Sequence, residues 1–209
     1  VHIHANGDKG IQQVLDFVSV NQKDNPRKDH RLTLHHMGYF ADEMADQIAK
    51  MGVEASVNPY YLWALADKYA TNGLGQARAE NLVALNSLAK RNVTTSYHSD
   101  FAMAPMEPLT LAWTAINRVT SGNKKVSQDQ RVDTYTAMKA ITISAAKTLN
   151  LEHKIGSIEA GKTANFTILK QNPFKVEPIT IKNIGILGTV YRGTFYINKS
   201  ANLKPVPLS

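Results

Sequence analysis

The sequence predicts an α/β protein: four βα units that amount to half of an eight-stranded (β/α) barrel, followed by strands of a small β-domain. Three observations carry that prediction. Short β-type runs and amphipathic helical runs alternate four times within about 120 residues, the pattern of a parallel sheet. A barrel of eight such units takes roughly 250 residues, so four units fill about half of one. From about Ile155 onward the texture changes to β-type runs punctuated by Gly and Pro.

The elements follow in order. VHIHA (1–5) is a strand in which alternation puts His2 and His4 on one face and Val1 and Ile3 on the other. Asn6-Gly7-Asp8 is a turn cluster, and GIQQVLDFVSVN (10–21) is a helix with Ile11, Val14, Leu15 and Val18 at helical spacing. After the polar loop QKDNPRKD (22–29), HRLTLHHMG (30–38) is the second strand. ADEMADQIAKMG (41–52) is a helix that turns Met44, Ile48 and Met51 inward and stops at Gly52. VEASVNPYY (53–61) is a third strand ended by Pro59, and an aromatic loop holding Tyr60, Tyr61, Trp63 and Tyr69 precedes the helix AENLVALNSLAKRN (79–92). VTTSYHSD (93–100) is the fourth strand and EPLTLAWTAINRVT (107–120) the fourth helix.

Beyond these, Ser127 and Gln130 form a capping-box start for DQRVDTYTAMKAI (129–141), and ISAAKTLN (143–150) is a shorter helix. GSIEAGKTANFTILKQNP (156–173) and ILGTVYRGTFYI (186–197) read as a small terminal sheet, with NLKPVPLS (202–209) a loosely ordered tail. The domain boundary falls between 154 and 155.

Composition narrows the function. Hydrophobic residues make up 43% and charged residues 20%, the balance of a folded domain rather than a disordered chain. The net charge of +7 is dispersed through PRKDHR, AKRN and GNKK. Dispersed charge is a solvated surface, and with no nucleic-acid motif present, nucleic acid is not the predicted partner. No apolar run approaches the roughly 20 residues of a transmembrane segment. The chain has no cysteine, so any metal rests on His and carboxylate side chains. The compartment is left open between cytoplasm and periplasm.

His4 sits at the end of the first strand, His35 and His36 at the end of the second, and Ser99-Asp100 closes the fourth. In (β/α) barrels the catalytic face is built from strand C-termini, so these residues converge on one rim. Two neutral imidazoles and a carboxylate suit Zn²⁺ or a similar divalent ion with an open position. Singly, each has a plainer reading: a hydrogen-bonded structural His, or an Asp capping a helix. Their joint occurrence at successive strand ends turns the balance toward a metal site.

HANGD after a strand, a His ending the strand one βα unit later, Ser99-Asp100 at the last barrel strand and GSIEAGKTANFTIL together resemble the amidohydrolase superfamily. Within it the similarity is to the branch containing N-substituted formamide deformylases. It covers Val1 to about Ile197, and GSIEAGKTAN is its most specific piece. The resemblance implies that the His of the fifth barrel strand, the His of the sixth and the Asp of the eighth are metal ligands; these fall on His4, His36 and Asp100. VHIH is then a fifth strand, and His2 a structural residue below the site. The chain reads as the C-terminal half of a (β/α)8 TIM-type barrel followed by strands of a small β-sandwich domain. Its implied partner is the missing N-terminal half or another copy of the chain.

The function implied is hydrolysis of a non-peptide carbon–nitrogen bond in a small-molecule substrate, through a water activated by one or two divalent ions, Zn²⁺ foremost, with Asp100 catalytic. This chain by itself is expected to be inactive. Departures from the family pattern fall at His35, where Glu is usual, and at His98, where a small residue is usual. Both are candidate substrate contacts, although His98, whose alternatives include an adventitious ligand, reads first as a buried hydrogen-bonded residue. Asn165 replaces an Asp in the terminal motif, where it alters a turn. Tyr60, Tyr61 and Trp63 read either as a wall of the substrate pocket or as packing. Two other functions stay open: an inactive fragment or interaction module, and a metal-dependent deaminase.

Overall fold

The computed structural model describes residues 1–199, so the tail expected at 202–209 lies outside the described residues. Strands β1 (His2–Ala5), β2 (Thr33–His36), β3 (Glu54–Val57) and β4 (Thr95–Tyr97) form a parallel sheet in the order β1-β2-β3-β4. Parallel neighbours need a crossover after each strand. Helix α1 (Asp8–Asp24) joins β1 to β2 and α2 (Asp42–Met51) joins β2 to β3. Three helices, α3 (Tyr60–Thr71), α4 (Gln76–Glu80) and α5 (Leu85–Ala89), lie between β3 and β4.

The register divides the sheet into two chemically distinct faces. His2, Thr33 and Glu54 lie in one row, and His4, His35, Ser56 and Ser96 in the next. On the opposite face Ile3, Leu34, Ala55 and Thr95 are level, followed by Ala5, His36, Val57 and Tyr97. That second face is the core side: Ala5, Leu34, Ala55 and Val57 are buried in one cluster with Ile11, Leu15 and Val18 of α1 and Met44, Ala45 and Ile48 of α2. Each large apolar side chain in it contributes about 1.5–3 kcal/mol. Helix α2 ends where the sequence predicts. Gly52 is left-handed (φ 69°), and its N–H reaches the carbonyls of Ile48 and Ala49, a conformation that favours glycine.

Three local expectations are corrected. The aromatic segment is helix α3, with Tyr60, Tyr61, Leu62 and Ala66 buried, and its first turn is set by Asn58, whose Oδ1 accepts the Tyr60 N–H at 3.0 Å. Pro59 ends the strand but also starts a helix, as proline does in a first turn. The helix expected over 79–92 is two short ones, α4 and α5, separated by an elbow with Val83 at φ 51°. The buried Arg118 guanidinium takes the Glu80, Leu82 and Val83 carbonyls. A long-range contact here overrides helix propensity. The helix expected from Ser127 begins later, as α7 (Thr134–Ala140), capped by Asp133, which accepts the Thr136 N–H at 2.6 Å. Residues 128–130 are a single 3-10 turn, and the Gln130 side chain instead accepts from the Ser87 backbone N–H at 3.1 Å.

Helix α6 (Pro108–Asn117) ends on Arg118 at φ 46°, and α8 (Ile143–Thr148) follows α7. The terminal sheet is antiparallel, β5 (Phe166–Leu169), β6 (Ile186–Tyr191) and β7 (Thr194–Ile197) in that order. A two-residue turn, Arg192-Gly193, with both φ positive joins β6 to β7. Asn165 anchors this turn: its Oδ1 accepts the Arg192 N–H at 2.9 Å.

Candidate active-site rim

Because the four strands are parallel, their C-terminal ends lie along one edge, and the titratable residues singled out in the sequence stand there. His4 is the penultimate residue of β1, His36 is the last of β2, and His98, Ser99 and Asp100 follow β4 directly. His36 (φ 73°) and Asp100 (φ 55°) are both left-handed. That conformation costs a non-glycine residue about 1–3 kcal/mol and concentrates at functional sites. For His36 it has a visible consequence. Strand register assigns the residue to the core face, yet its ring lies 4.4 Å from the His4 ring and 5.0 Å from the His98 ring, centroid to centroid.

The His36 Nδ1 is where this rim converges. The Tyr61 hydroxyl lies 3.2 Å from it, His98 Nε2 shares a hydrogen bond with it at 3.2 Å, and Asp100 Oδ2 stands 3.9 Å away. His98 is held from its other side, its Nδ1 sharing a hydrogen bond with Ser56 Oγ at 3.1 Å. One row away, His35 Nε2 and His2 Nδ1 are 2.6 Å apart. In each His–His pair one neutral ring donates and the other accepts. Burial, and then the neighbouring imidazoles, push the pKa values of His35 and His36 down, while Asp100 pulls the other way. The same causes push His98 down to about 4. At neutral pH these three rings are uncharged.

Thus His4, His35, His36, His98 and Asp100 share one rim. Tyr60 and Trp63 lie in α3 with their rings edge-on at 5.5 Å; Tyr60 is buried and Trp63 packs against the hydrophobic core. Of the aromatic group it is Tyr61 that reaches the histidines, its ring stacked over His36 at 6.2 Å. Ser56 was not singled out in the sequence, although alternation within VEASV puts it on the face level with His35. In kind, His4, His36 and Asp100 fit a divalent cation: neutral imidazole and carboxylate are its ordinary ligands. In arrangement they stand as pairs. Among the described residues no three His, Asp or Glu side chains are placed to hold one ion together.

The profile of the amidohydrolase family matches residues 1–197. The chain is 33% identical over 174 residues to Protein LONG AFTER FAR-RED 3 of Arabidopsis thaliana, covering 82% of this chain and 30% of that protein. It is 25% identical over 206 residues to N-substituted formamide deformylase of Arthrobacter pascens, covering 96% of this chain and 37% of that enzyme. The chain therefore spans about a third of the length of these curated relatives. An uncharacterised metal-dependent hydrolase from Pyrococcus horikoshii OT3 shares its fold, with a TM-score of 0.70 at 24% identity over 85% of this chain and 35% of that one. No helix among the described residues is long and apolar enough to cross a membrane.

Proposed function

The chain belongs to the amidohydrolase family, and from that premise we propose that it serves a metal-dependent hydrolase of a non-peptide carbon–nitrogen bond, with an amide, formamide or cyclic amide as substrate. The observation that carries the reading is the meeting of His4, His98, Tyr61 and Asp100 around His36, with His36 and Asp100 both held at positive φ. In this reading His4, His36 and Asp100 are ligands for one or two divalent ions, and an imidazole-rich set suits Zn²⁺. A cation bound there supplies Lewis acidity, which polarises a carbonyl and lowers the pKa of water.

The chain's own residues do the rest. Asp100, with 44% of its side chain exposed, takes the proton of the attacking water and passes it to the leaving nitrogen. Tyr61 and His98 fix the orientation of the His36 ring through hydrogen bonds at Nδ1. His35, neutral and on the same rim, pairs with His2 through Nε2 and offers its other ring nitrogen to substrate, whereas both ring nitrogens of His98 are engaged, with His36 and Ser56, and Tyr60 and Trp63 serve as packing. The test is chelation of the full-length protein. Activity on a panel of formamides and cyclic amides should vanish and return with Zn²⁺. Full turnover in a sample shown metal-free by elemental analysis would sink the metal mechanism.

We also propose that residues 1–154 are half of a closed TIM-type barrel and that the second unit, expected over 155–209 and described as far as residue 199, is part of its companion β-domain. Among the described residues β1 and β4 each have one strand neighbour, so each leaves one side without a strand partner. A cavity of about 420 Å³ flanks β4, lined in part by Tyr97, Val132, Ala140 and Lys147. Open edges pair with another chain, and the occupant is an N-terminal half or a second copy; alone, the chain is inactive. Sedimentation of the 209-residue chain should show self-association. A compact monomer that unfolds cooperatively and turns over amides contradicts this.

A further inference from the structure

The geometry points to Arg118 as a positioning residue for the histidine rim, acting through Val83, Gly38 and Asn6 to hold the ends of β1 and β2 together. Arg118 is 1% exposed, and its hydrogen bonds go to main-chain carbonyls rather than to the rim side chains. Its guanidinium donates to four main-chain carbonyls: Nε to Val126 at 3.2 Å, Nη1 to Val83 at 2.7 Å, and Nη2 to both Glu80 and Leu82 at 2.9 Å. Burial lowers its pKa to about 10, which leaves it charged at neutral pH. Three of the four carbonyls belong to the elbow between α4 and α5. Without the guanidinium the buried Leu82 carbonyl would lose its donor and the Val83 carbonyl would keep only the Leu85 N–H at 2.9 Å, a cost that native structures avoid.

The elbow is bent for a purpose visible in its next contact. Val83, a β-branched residue at φ 51°, is where strain of this kind is least tolerated. Its N–H donates to the Gly38 carbonyl at 2.8 Å. Gly38 stands two residues past His36, and its N–H donates to Asn6 Oδ1 at 3.0 Å. Asn6 stands two residues past His4, and its carbonyl accepts the Tyr39 N–H at 3.1 Å. The fit at Gly38 is tight: a Cβ there would lie 2.4 Å from Asn6 Oδ1 and 3.2 Å from the Tyr61 ring. One line of contacts therefore runs from the buried cation to the turns that follow His4 and His36, passing the ring whose hydroxyl meets His36. What the rim does rests on the function proposed above; whether it is held this way does not.

Hydrogen exchange read by mass spectrometry on the full-length protein tests the brace without any assay of catalysis. In Arg118→Lys, peptides spanning 79–84 and 36–40 should both exchange about tenfold faster, while those in α1 and α2 keep their wild-type rates. Asn6→Ala should likewise speed both peptides, and the double variant should accelerate 36–40 by less than the product of the single effects. In the wild-type protein the two peptides should open together, with the same denaturant dependence, a measurement that stands even if Arg118→Lys does not fold. Acceleration confined to 79–84, equal acceleration in α1 and α2, or independent opening of the two peptides in the wild type each overturns the brace. A protein that shows the coupled exchange but hydrolyses nothing keeps the brace and loses the proposed function.

Discussion

The two faces of the parallel sheet share the same strands and the same backbone ladder, yet they do different work. On the core face Leu34, Ala55 and Val57 are fully buried against α1 and α2. On the other face, side chains satisfy one another: His2 with His35, Ser56 with His98, Ser96 Oγ with Thr148 Oγ1 at 3.2 Å, and the Thr33 hydroxyl donating to Glu54 at 3.4 Å. A hydrogen bond of this sort nets about 0.5–1.5 kcal/mol, against about 1.5–3 kcal/mol for a buried apolar side chain. The difference teaches where stability and chemistry reside. The face that contributes least to holding the fold is the face free to carry imidazoles and carboxylates.

That division can be broken from either side. The largest effect is expected at Asp100, which lies at the end of the polar face. Asp100→Asn should lower turnover of the metal-loaded full-length protein by about 10²–10⁴-fold, with little change in melting temperature because the side chain is 44% exposed. An unchanged rate removes Asp100 from its role. Next comes Leu34→Ala on the core face, at 0% exposure. It should cost about 2–5 kcal/mol in denaturant unfolding while the folded fraction keeps its turnover number. If it slowed turnover as strongly as Asp100→Asn, the two faces would not be separable.

The smallest effect is at Glu54, a carboxyl of the polar face far from the rim. Burial raises its pKa against the opposing pull of Lys147 and Arg31 and the Thr33 hydrogen bond, with Asp29 adding to the rise. The unfolded chain ionises this residue at its ordinary pKa near 4.5 and the folded protein only above that. Stability is thus full at low pH and is lost as pH rises through the folded value. Glu54→Gln should melt higher than wild type at pH 7, and the gap should close toward pH 4. A gap that does not vary with pH means that lost hydrogen bonding, not ionisation, governs this position.

Much of this architecture is legible in the chain itself. Period-two alternation in VHIHA, helical spacing in the two crossovers after it, and a glycine placed to stop α2 are local signals, so they survive being read one residue at a time. Their places at the C-terminal ends of the first and fourth strands name His4 and Asp100 as residues of one rim. Only the tertiary structure decides what depends on partners far along the chain. Arg118 breaks a well-patterned helix from 35 residues away through Val83. Tyr61 reaches His36 across 25 residues, and His98 reaches the same ring across 62. The left-handed backbone of His36 is likewise invisible to strand parity, which puts the residue on the core face although its ring meets His4 and His98. Periodicity determines which face a side chain starts from, whereas the energy of a bent backbone is balanced by contacts that exist only once the sheet has assembled.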